Sequence, residues 1–146
     1  MKHLLVAAAL LVSSLVNAAE PSINDRVLKS FNKHFTSAED VSWTLVNKTA
    51  VANFEENDIK TTASFNDKGK LVVVMRYYKA EHLPSLIKDA LNIELGNKTI
   101  HGVTEVSNSN GIIYKISLKD SKNYYDVLAD ADGNLEVKNI YERADK

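Results

Sequence analysis

The 146-residue chain contains no cysteine, and it has only two prolines and five glycines. Without thiols it can form neither a disulfide framework nor a cysteine-based zinc or redox site. The glycines are scattered, which excludes the clustered glycines of a phosphate-binding loop. The 18 basic and 19 acidic residues give a formal net charge of −1, so the cationic excess typical of nucleic-acid binding is missing. With 45% hydrophobic residues, the sequence predicts a small globular protein.

The first eighteen residues have the layout of a secretory signal peptide. A short basic start precedes an apolar run from Leu4 to Val16, and Val16 and Ala18 suit the last positions before a cleavage site. The run is shorter than the roughly twenty residues that span a bilayer. The alternative, a buried N-terminal helix, is disfavoured because the run has no polar face. We expect residues 1–18 to be removed and residues 19–146 to lie in a bacterial periplasm or outside the cell.

Two segments have the spacing of amphipathic helices. Residues 23–35 and residues 83–95 each place their apolar side chains on one helical face. Pro84 is tolerated in the first turn of a helix, so it marks where the second segment begins. Each helix therefore has one apolar face that can cover a core.

Alternating apolar and polar residues predict four strands after each helix, separated by Asn, Asp and Gly residues that suit tight turns. Such alternation indicates antiparallel strands with one face on a core. In the fourth strand of the first half, the residues expected to face the core are Leu71, Val73, Met75 and Tyr77.

The two halves of the chain match when one is shifted by 64 residues, which places Gly69 on Gly133 and Leu71 on Leu135. The sequence therefore predicts an α+β fold of two tandem α-β-β-β-β repeats, over residues 22–79 and residues 80–142. Together the repeats form an antiparallel sheet of about eight strands with two helices on one face. Joining the repeats removes one exposed sheet edge from each of them.

Several segments resemble the PepSY-like periplasmic proteins that are frequent in Bacteroidetes: Val41-Ser42-Trp43, Ala52-Asn53-Phe54, the stretch from Ala63 to Leu71, and the helix start Leu83-Pro84. The order and spacing of these segments carry the resemblance, which covers nearly all of residues 19–146. It implies a single PepSY-like domain with a fold similar to that of the β-lactamase inhibitor protein, a tandem repeat with a concave sheet. The related PepSY domain occurs in propeptides of secreted metallopeptidases, where an inhibitory role is suggested. The resemblance implies no catalytic residue.

Reactive side chains do not fall into a pattern that supports a specific chemistry. His34, His82 and His101 are too far apart in sequence to form a helical zinc pair. The acidic segment that starts at Asp130 lacks the glycine and glutamate positions of a calcium-binding loop. A strand-to-helix nucleophile elbow is missing as well. We therefore predict a protein that is not an enzyme, with no catalytic residue, no cofactor and no bound metal.

The sheet face that the helices leave open carries aliphatic, aromatic and basic residues, among them Lys60, Lys115 and Lys138. A face that meets only water should be more polar, and this mixture is typical of a recognition surface. High β-propensity of Val and Tyr is the alternative explanation. The residues predicted to contact a partner are Val72, Val74, Arg76, Tyr78, Tyr124 and Leu128, with Arg76, Tyr78 and Tyr124 as the anchors.

These features predict a secreted or periplasmic protein that binds another envelope or secreted protein, with a peptidase among the candidates, through the open face of its sheet. The alternative is a small-ligand or metal-ion binding module in cell-envelope homeostasis, with a deep pocket between helices and sheet. A hydrolase is a further alternative. Glycoside hydrolysis needs two carboxylates across a cleft, and among nineteen acidic residues some pair will lie close together. We expect no nucleic-acid partner and no membrane span after the signal peptide is removed. The sequence leaves the oligomeric state open.

Overall fold

The computed structural model describes residues 21–96 and 98–144, so the predicted signal peptide lies outside the described residues. Two helices each precede four strands, and a 3-10 turn at Ala80–His82 joins the two halves. The elements are α1 (Asp25–His34), β1 (Glu39–Val46), β2 (Thr49–Glu56), β3 (Ile59–Phe65), β4 (Leu71–Tyr78), α2 (Ser85–Leu95), β5 (Thr99–Asn108), β6 (Gly111–Lys119), β7 (Asn123–Asp130) and β8 (Leu135–Glu142).

The strands form an eight-stranded sheet in which each pairs antiparallel with the next along the chain, from β1 to β8. The junction between the two halves is the pairing of β4 with β5, where Tyr78 lies opposite Val103. The predicted α+β class with two α-β-β-β-β repeats is thereby confirmed. Both repeats contribute to one continuous sheet, so each supplies one of the edge strands.

Both ends of α1 carry residues that stabilise helix termini. The side chain of Asn24 accepts a hydrogen bond from the backbone N–H of Val27 at 3.0 Å and caps the helix. Asp25 in the first turn and Lys33 in the last complement the helix dipole. In the second repeat, Gly96 ends α2 with a φ of 67°, which glycine adopts without strain.

Each helix covers its own core cluster on one face of the sheet. Under α1, the ring of Phe31 lies 5.1 Å from those of Trp43 and Phe54, and 5.4 Å from that of Phe35. Edge-to-face ring contacts of this kind add to the free energy gained by burial. The cluster under α2 is more aliphatic; its buried members include Leu83, Ile87, Leu91, Ile116, Leu118 and Val127.

The turns between the last two strands of each repeat are built alike, 64 residues apart. The side chain of Asn66 accepts hydrogen bonds from the backbone N–H groups two and four residues ahead, and that of Asp130 does the same. Gly69 and Gly133 take positive φ values of 79° and 85° in these turns. Equivalent hydrogen bonds at the predicted offset support the duplication at atomic detail.

A bulge in β4 makes part of the predicted face assignment wrong. Ser64 pairs with Val73 but Phe65 pairs with Leu71, which leaves Val72 as an extra residue. Side chains alternate along a strand, so one extra residue moves every later side chain to the opposite face. Val73, Met75 and Tyr77, expected in the core, therefore lie on the face away from the helices, whereas Val74, Arg76 and Tyr78 lie on the helix side.

Candidate functional site

The sheet face opposite α1 and α2, called the uncovered face below, is crossed by a row of side chains that pair from strand to strand. The row runs from Lys60 on β3 through Tyr77, Thr104 and Lys115 to Leu128 on β7. Adjacent strands lie about 4.8 Å apart, so roughly 14 Å separates Tyr77 from Leu128. This spacing is wide enough to admit a segment of another polypeptide chain.

A groove with a volume of about 740 Å³ lies on the uncovered face between Tyr77 and Leu128. It is called the lysine groove below. Gly102 on β5 and Ser117 on β6 both line it, and they pair with each other. Apart from Gly102 itself and its two chain neighbours, no described residue has an atom within 4 Å of the position that a Cβ would occupy there, so the space above the sheet is open.

Basic side chains outnumber acidic ones in the lysine groove. Lys79, Lys115 and Lys138 line it, against the single carboxylate of Asp126. Lys138 is paired with Glu136, and Asp126 accepts a 3.4 Å hydrogen bond from Asn139. Within residues 21–96 and 98–144, neither Lys79 nor Lys115 has a carboxylate oxygen within 4 Å. The groove therefore has a positive local charge on a chain whose formal net charge is −1.

A second groove of about 350 Å³ lies on the other side of Tyr77, over β1, β2 and β3. It is called the acidic groove below, because Asp40 and Glu55 line it together with one lysine, Lys60. Tyr77 lines both grooves and is 42% exposed. The uncovered face thus has a central aromatic ring with opposite charge on its two sides.

Tyr77 is the functional candidate that the sequence reasoning missed, because the alternation placed it in the core. The signal was ambiguous: Val72-Val73-Val74 is a run of apolar residues without alternation, so it does not fix the face of the residues that follow. The bulge at Val72 decides the face, and it arises from pairing with β3 rather than from local sequence.

Arg76 and Tyr78, predicted as partner-binding anchors, form a network within the protein. Arg76 Nη1 donates a 3.0 Å hydrogen bond to one carboxylate oxygen of Glu105, and the Tyr78 hydroxyl donates a 2.7 Å bond to the other. Burial, followed by the hydrogen bond to Glu105, raises the pKa of Tyr78 well above its ordinary value. Because Glu105 belongs to β5, the network joins the two repeats on the helix side.

The other predicted contact residues are spread over the molecule. Val74 is buried in the core under α1, and Val72 is 47% exposed at the bulge. Leu128 lines the lysine groove, as described above. Tyr124 is also on the uncovered face, where its ring lies 5.7 Å from that of His101 and 5.5 Å from the guanidinium of Arg143. The structure thus brings only Tyr124 and Leu128 to the uncovered face in the way predicted.

In the part of the chain that the structure describes, no cluster of three or more His, Asp or Glu side chains could hold a metal ion. The same residues contain no helix long and apolar enough to cross a membrane. The predicted role of the contact residues and the predicted domain boundaries stay predictions.

No protein-family model matches the chain, and no curated protein matches it. Proteins from Bacteroides are among the solved structures with similar folds. A BLIP-like protein from Bacteroides fragilis NCTC 9343 has a TM-score of 0.67 and 11% identity over 88% of this chain and 92% of that one. A DUF2874 family protein from Bacteroides ovatus ATCC 8483 has a TM-score of 0.65 and 19% identity over 86% and 91%.

A third solved structure, from Bacteroides eggerthii DSM 20697, belongs to a protein described as a candidate periplasmic protein. Its TM-score is 0.63, with 20% identity over 84% of this chain and 90% of that one. Identities at this level are informative about the fold alone. The resemblance to PepSY-like proteins stays a resemblance, whereas the fold it implied is confirmed: the chain has a BLIP-like α+β fold.

Proposed function

We propose that this protein is a non-enzymatic binding module of the bacterial cell envelope that docks another protein on the uncovered face of its sheet. The position of Tyr77 carries the proposal. Its half-exposed ring stands between two grooves at the middle of the sheet face that neither α1 nor α2 covers. Tyrosine is enriched among the residues that dominate binding free energy, and these residues cluster near the centre of interfaces.

The arrangement of polar groups in the lysine groove favours binding over hydrolysis. Ser117, His101 and Asp126 all line the groove, and these are the residue types of a hydrolytic triad. Among the described residues, however, no hydrogen bond links His101 to either of the other two. Asp126 accepts from Asn139, and His101 packs against Tyr124. A serine without a hydrogen-bonded base is a weak nucleophile.

We place the protein in the periplasm, because residues 1–18 have the pattern of a signal peptide and one protein of similar fold is described as a candidate periplasmic protein. A secreted peptidase is our first candidate partner. The support is the resemblance to PepSY-like proteins, together with the BLIP-like fold. Inhibition would be steric: the uncovered face would cover the substrate-binding side of the peptidase.

Affinity capture from the native cell envelope, with identification by mass spectrometry, supplies the partner for the test. With that partner purified, Tyr77→Ala is expected to weaken binding by about thirtyfold without changing the melting temperature. The matched control is Tyr141→Ala, because Tyr141 is 52% exposed on the same face but lines neither groove. If Tyr77→Ala binds as tightly as the wild type, the proposed docking face is wrong.

The volume of the lysine groove also suits a small molecule, which makes a ligand-binding module the second candidate. The sequence placed such a pocket between helices and sheet, but this groove lies on the opposite face. A ligand there would raise the melting temperature of the wild type and not that of Tyr77→Ala. Screening metabolites by thermal shift tests this candidate, and a panel without any shift counts against it.

A further inference from the structure

Given the proposed docking face, we infer that the lysine groove receives an acidic peptide segment of the partner protein. The occupant would place Asp or Glu side chains next to Lys79 and Lys115, and apolar side chains against Tyr77 and Leu128. This inference rests on the proposed function and adds the chemistry of the bound segment.

The charge distribution on the uncovered face carries the inference. The chain as a whole is balanced, yet the lysine groove holds three lysines and one aspartate. The acidic groove on the far side of Tyr77 holds Asp40 and Glu55 against Lys60. Complementary potentials across an interface steer encounter and suppress wrong partners, so an acidic segment is selected on one side of Tyr77 and disfavoured on the other.

Lys115 is the residue best placed to bind a carboxylate of the partner. It lies in the row between Thr104 and Leu128, and its side chain is exposed. No carboxylate of the described residues lies within 4 Å of its ammonium group. An incoming Asp or Glu would therefore gain an ion pair without first breaking one inside the protein.

The shape of the groove favours a peptide segment over a small anion. The groove is open and about 14 Å wide between Tyr77 and Leu128, whereas a phosphate site is usually a tight cradle of backbone N–H groups or arginines. Apolar side chains on both sides of the lysines would contact the neighbours of an acidic residue in a polypeptide. A free phosphate would leave those side chains exposed to water.

Short fluorescein-labelled peptides of alternating Glu and Ala, Gln and Ala, or Lys and Ala are the probes, with anisotropy as the readout. The mature protein is expected to bind the Glu peptide at least about tenfold more tightly than the Gln peptide at low ionic strength. Raising the salt from about 0.01 M to about 1 M shortens the screening length from about 30 Å to about 3 Å and should remove the preference.

Lys115→Glu should abolish the preference for the Glu peptide, because it turns the attraction into repulsion. The matched control is Lys68→Glu, which changes the net charge equally in the exposed turn between β3 and β4. That variant should keep the preference. Equal binding of all three peptides, or an equal loss in both variants, would overturn the inference, as would competition by inorganic phosphate at the concentration of the peptide.

Failure of this inference can be told apart from failure of the proposed function. If Tyr77→Ala no longer binds the purified partner while Lys115→Glu binds it as tightly as the wild type, the docking face is supported and the acidic segment is rejected. Self-association of the wild type that disappears in Lys115→Glu would identify a second copy of this chain as the occupant. That result would also overturn the inference of a separate partner.

Discussion

The hydroxyl of Tyr78 donates a 2.7 Å hydrogen bond to the carboxylate of Glu105, across the junction where the first repeat pairs with the second. Arg76 donates to the other oxygen of the same carboxylate. The two repeats have separate core clusters under separate helices. This network is therefore a polar link between the two halves, in addition to the backbone pairing of β4 with β5 and the packing of Tyr78 against the cluster under α2.

Tyr78→Phe should lower the free energy of unfolding by about 1 kcal/mol, because a hydrogen bond to a charged group is lost at a partly exposed site. Urea denaturation at neutral pH measures the change. Tyr77→Phe is the control on the adjacent residue, whose hydroxyl donates a hydrogen bond only to the sulfur of Met75, at 3.7 Å, within the described residues. An equal effect of the two substitutions would contradict the network at Glu105.

The same contact predicts a pH dependence at high pH. The folded state raises the pKa of Tyr78, so the unfolded chain loses the phenol proton first as the pH rises. The stabilisation by Tyr78 is therefore complete below about pH 10 and is lost progressively above it. The stability difference between wild type and Tyr78→Phe should shrink in urea titrations above this pH. A constant difference would contradict the raised pKa.

Gly69→Ala should destabilise the protein more than Gly133→Ala, although the two glycines are equivalent in the repeats. Both have positive φ, which costs an alanine about 1–2 kcal/mol. A Cβ at Gly69 would also lie 2.7 Å from the backbone oxygen of Arg26 in α1. At Gly133 the nearest atom, 3.3 Å away, belongs to the side chain of Leu86, which can move.

The additional loss at Gly69 should be roughly 1–3 kcal/mol, the usual range for an overpacked contact. Comparing the thermal unfolding of Gly69→Ala with that of Gly133→Ala measures this additional loss. The strain from the positive φ is common to both variants and cancels in the comparison. Equal destabilisation would mean that α1 is not packed tightly against the turn between β3 and β4.

Asp120→Asn should destabilise the protein at neutral pH and lose its effect in acid. The Tyr125 hydroxyl donates to Asp120 at 2.6 Å, and the N–H groups of Lys122 and Asn123 donate at 2.8 Å. The Tyr125 bond first, then the backbone bonds, lower the pKa of Asp120 from 3.8 to about 2. The stabilisation is therefore present above pH 3.8 and is lost as the pH falls towards 2.

Thermal unfolding of wild type and Asp120→Asn across this pH range checks the prediction. The control is Asp132→Asn, because the carboxylate of Asp132 accepts no hydrogen bond from the described residues. A difference between wild type and Asp120→Asn that persists unchanged at pH 2 would contradict the contribution of the charged carboxylate.

Phe31→Ala should lower the free energy of unfolding by about 3–5 kcal/mol, because it removes the ring at the centre of the core under α1. Val27 and Phe31 are the buried residues of α1, and Ile87 and Leu91 are those of α2, so Leu91 is the counterpart of Phe31 within its helix. Alanine at Leu91 should cost about 2–5 kcal/mol. Since one sheet joins both halves, each variant should still unfold in a single transition. Separate transitions in calorimetry would show that the repeats unfold independently.

Local periodicity was sufficient to predict the elements, because the spacing of apolar residues depends only on neighbours along the chain. The duplication was readable for the same reason, as the turns at Asn66 and Asp130 keep their offset. The sequence pattern could not predict which face of the sheet Tyr77 and Tyr78 occupy. That face depends on how β4 pairs with β3, and the bulge at Val72 reverses every face that follows. As a consequence, the aromatic residue at the centre of the candidate site is Tyr77 and not the adjacent Tyr78.

The lysines of the site were predicted more reliably than its aromatic ring. Lys115 and Lys138 were expected on the open face and line the lysine groove. Lys115 lies in a part of β6 that pairs regularly with both β5 and β7, so the alternation identifies its face correctly. Lys138 is itself the extra residue of a bulge in β8, because Asp126 pairs with Asn139 and Val127 pairs with Val137. Its position therefore depends on the pairing with β7 and not on the alternation alone.

The most direct test of the docking face fills the lysine groove from Gly102, one of the residues that line it. Gly102 does not have a positive φ, and the position of a Cβ there faces open space, so a larger residue fits without strain. Gly102→Trp should therefore fold normally, and the indole ring should occupy the lysine groove. We expect this variant to keep the melting temperature of the wild type and to bind the purified partner at least about hundredfold more weakly, as measured by calorimetry. Unchanged affinity in a correctly folded Gly102→Trp would contradict the account.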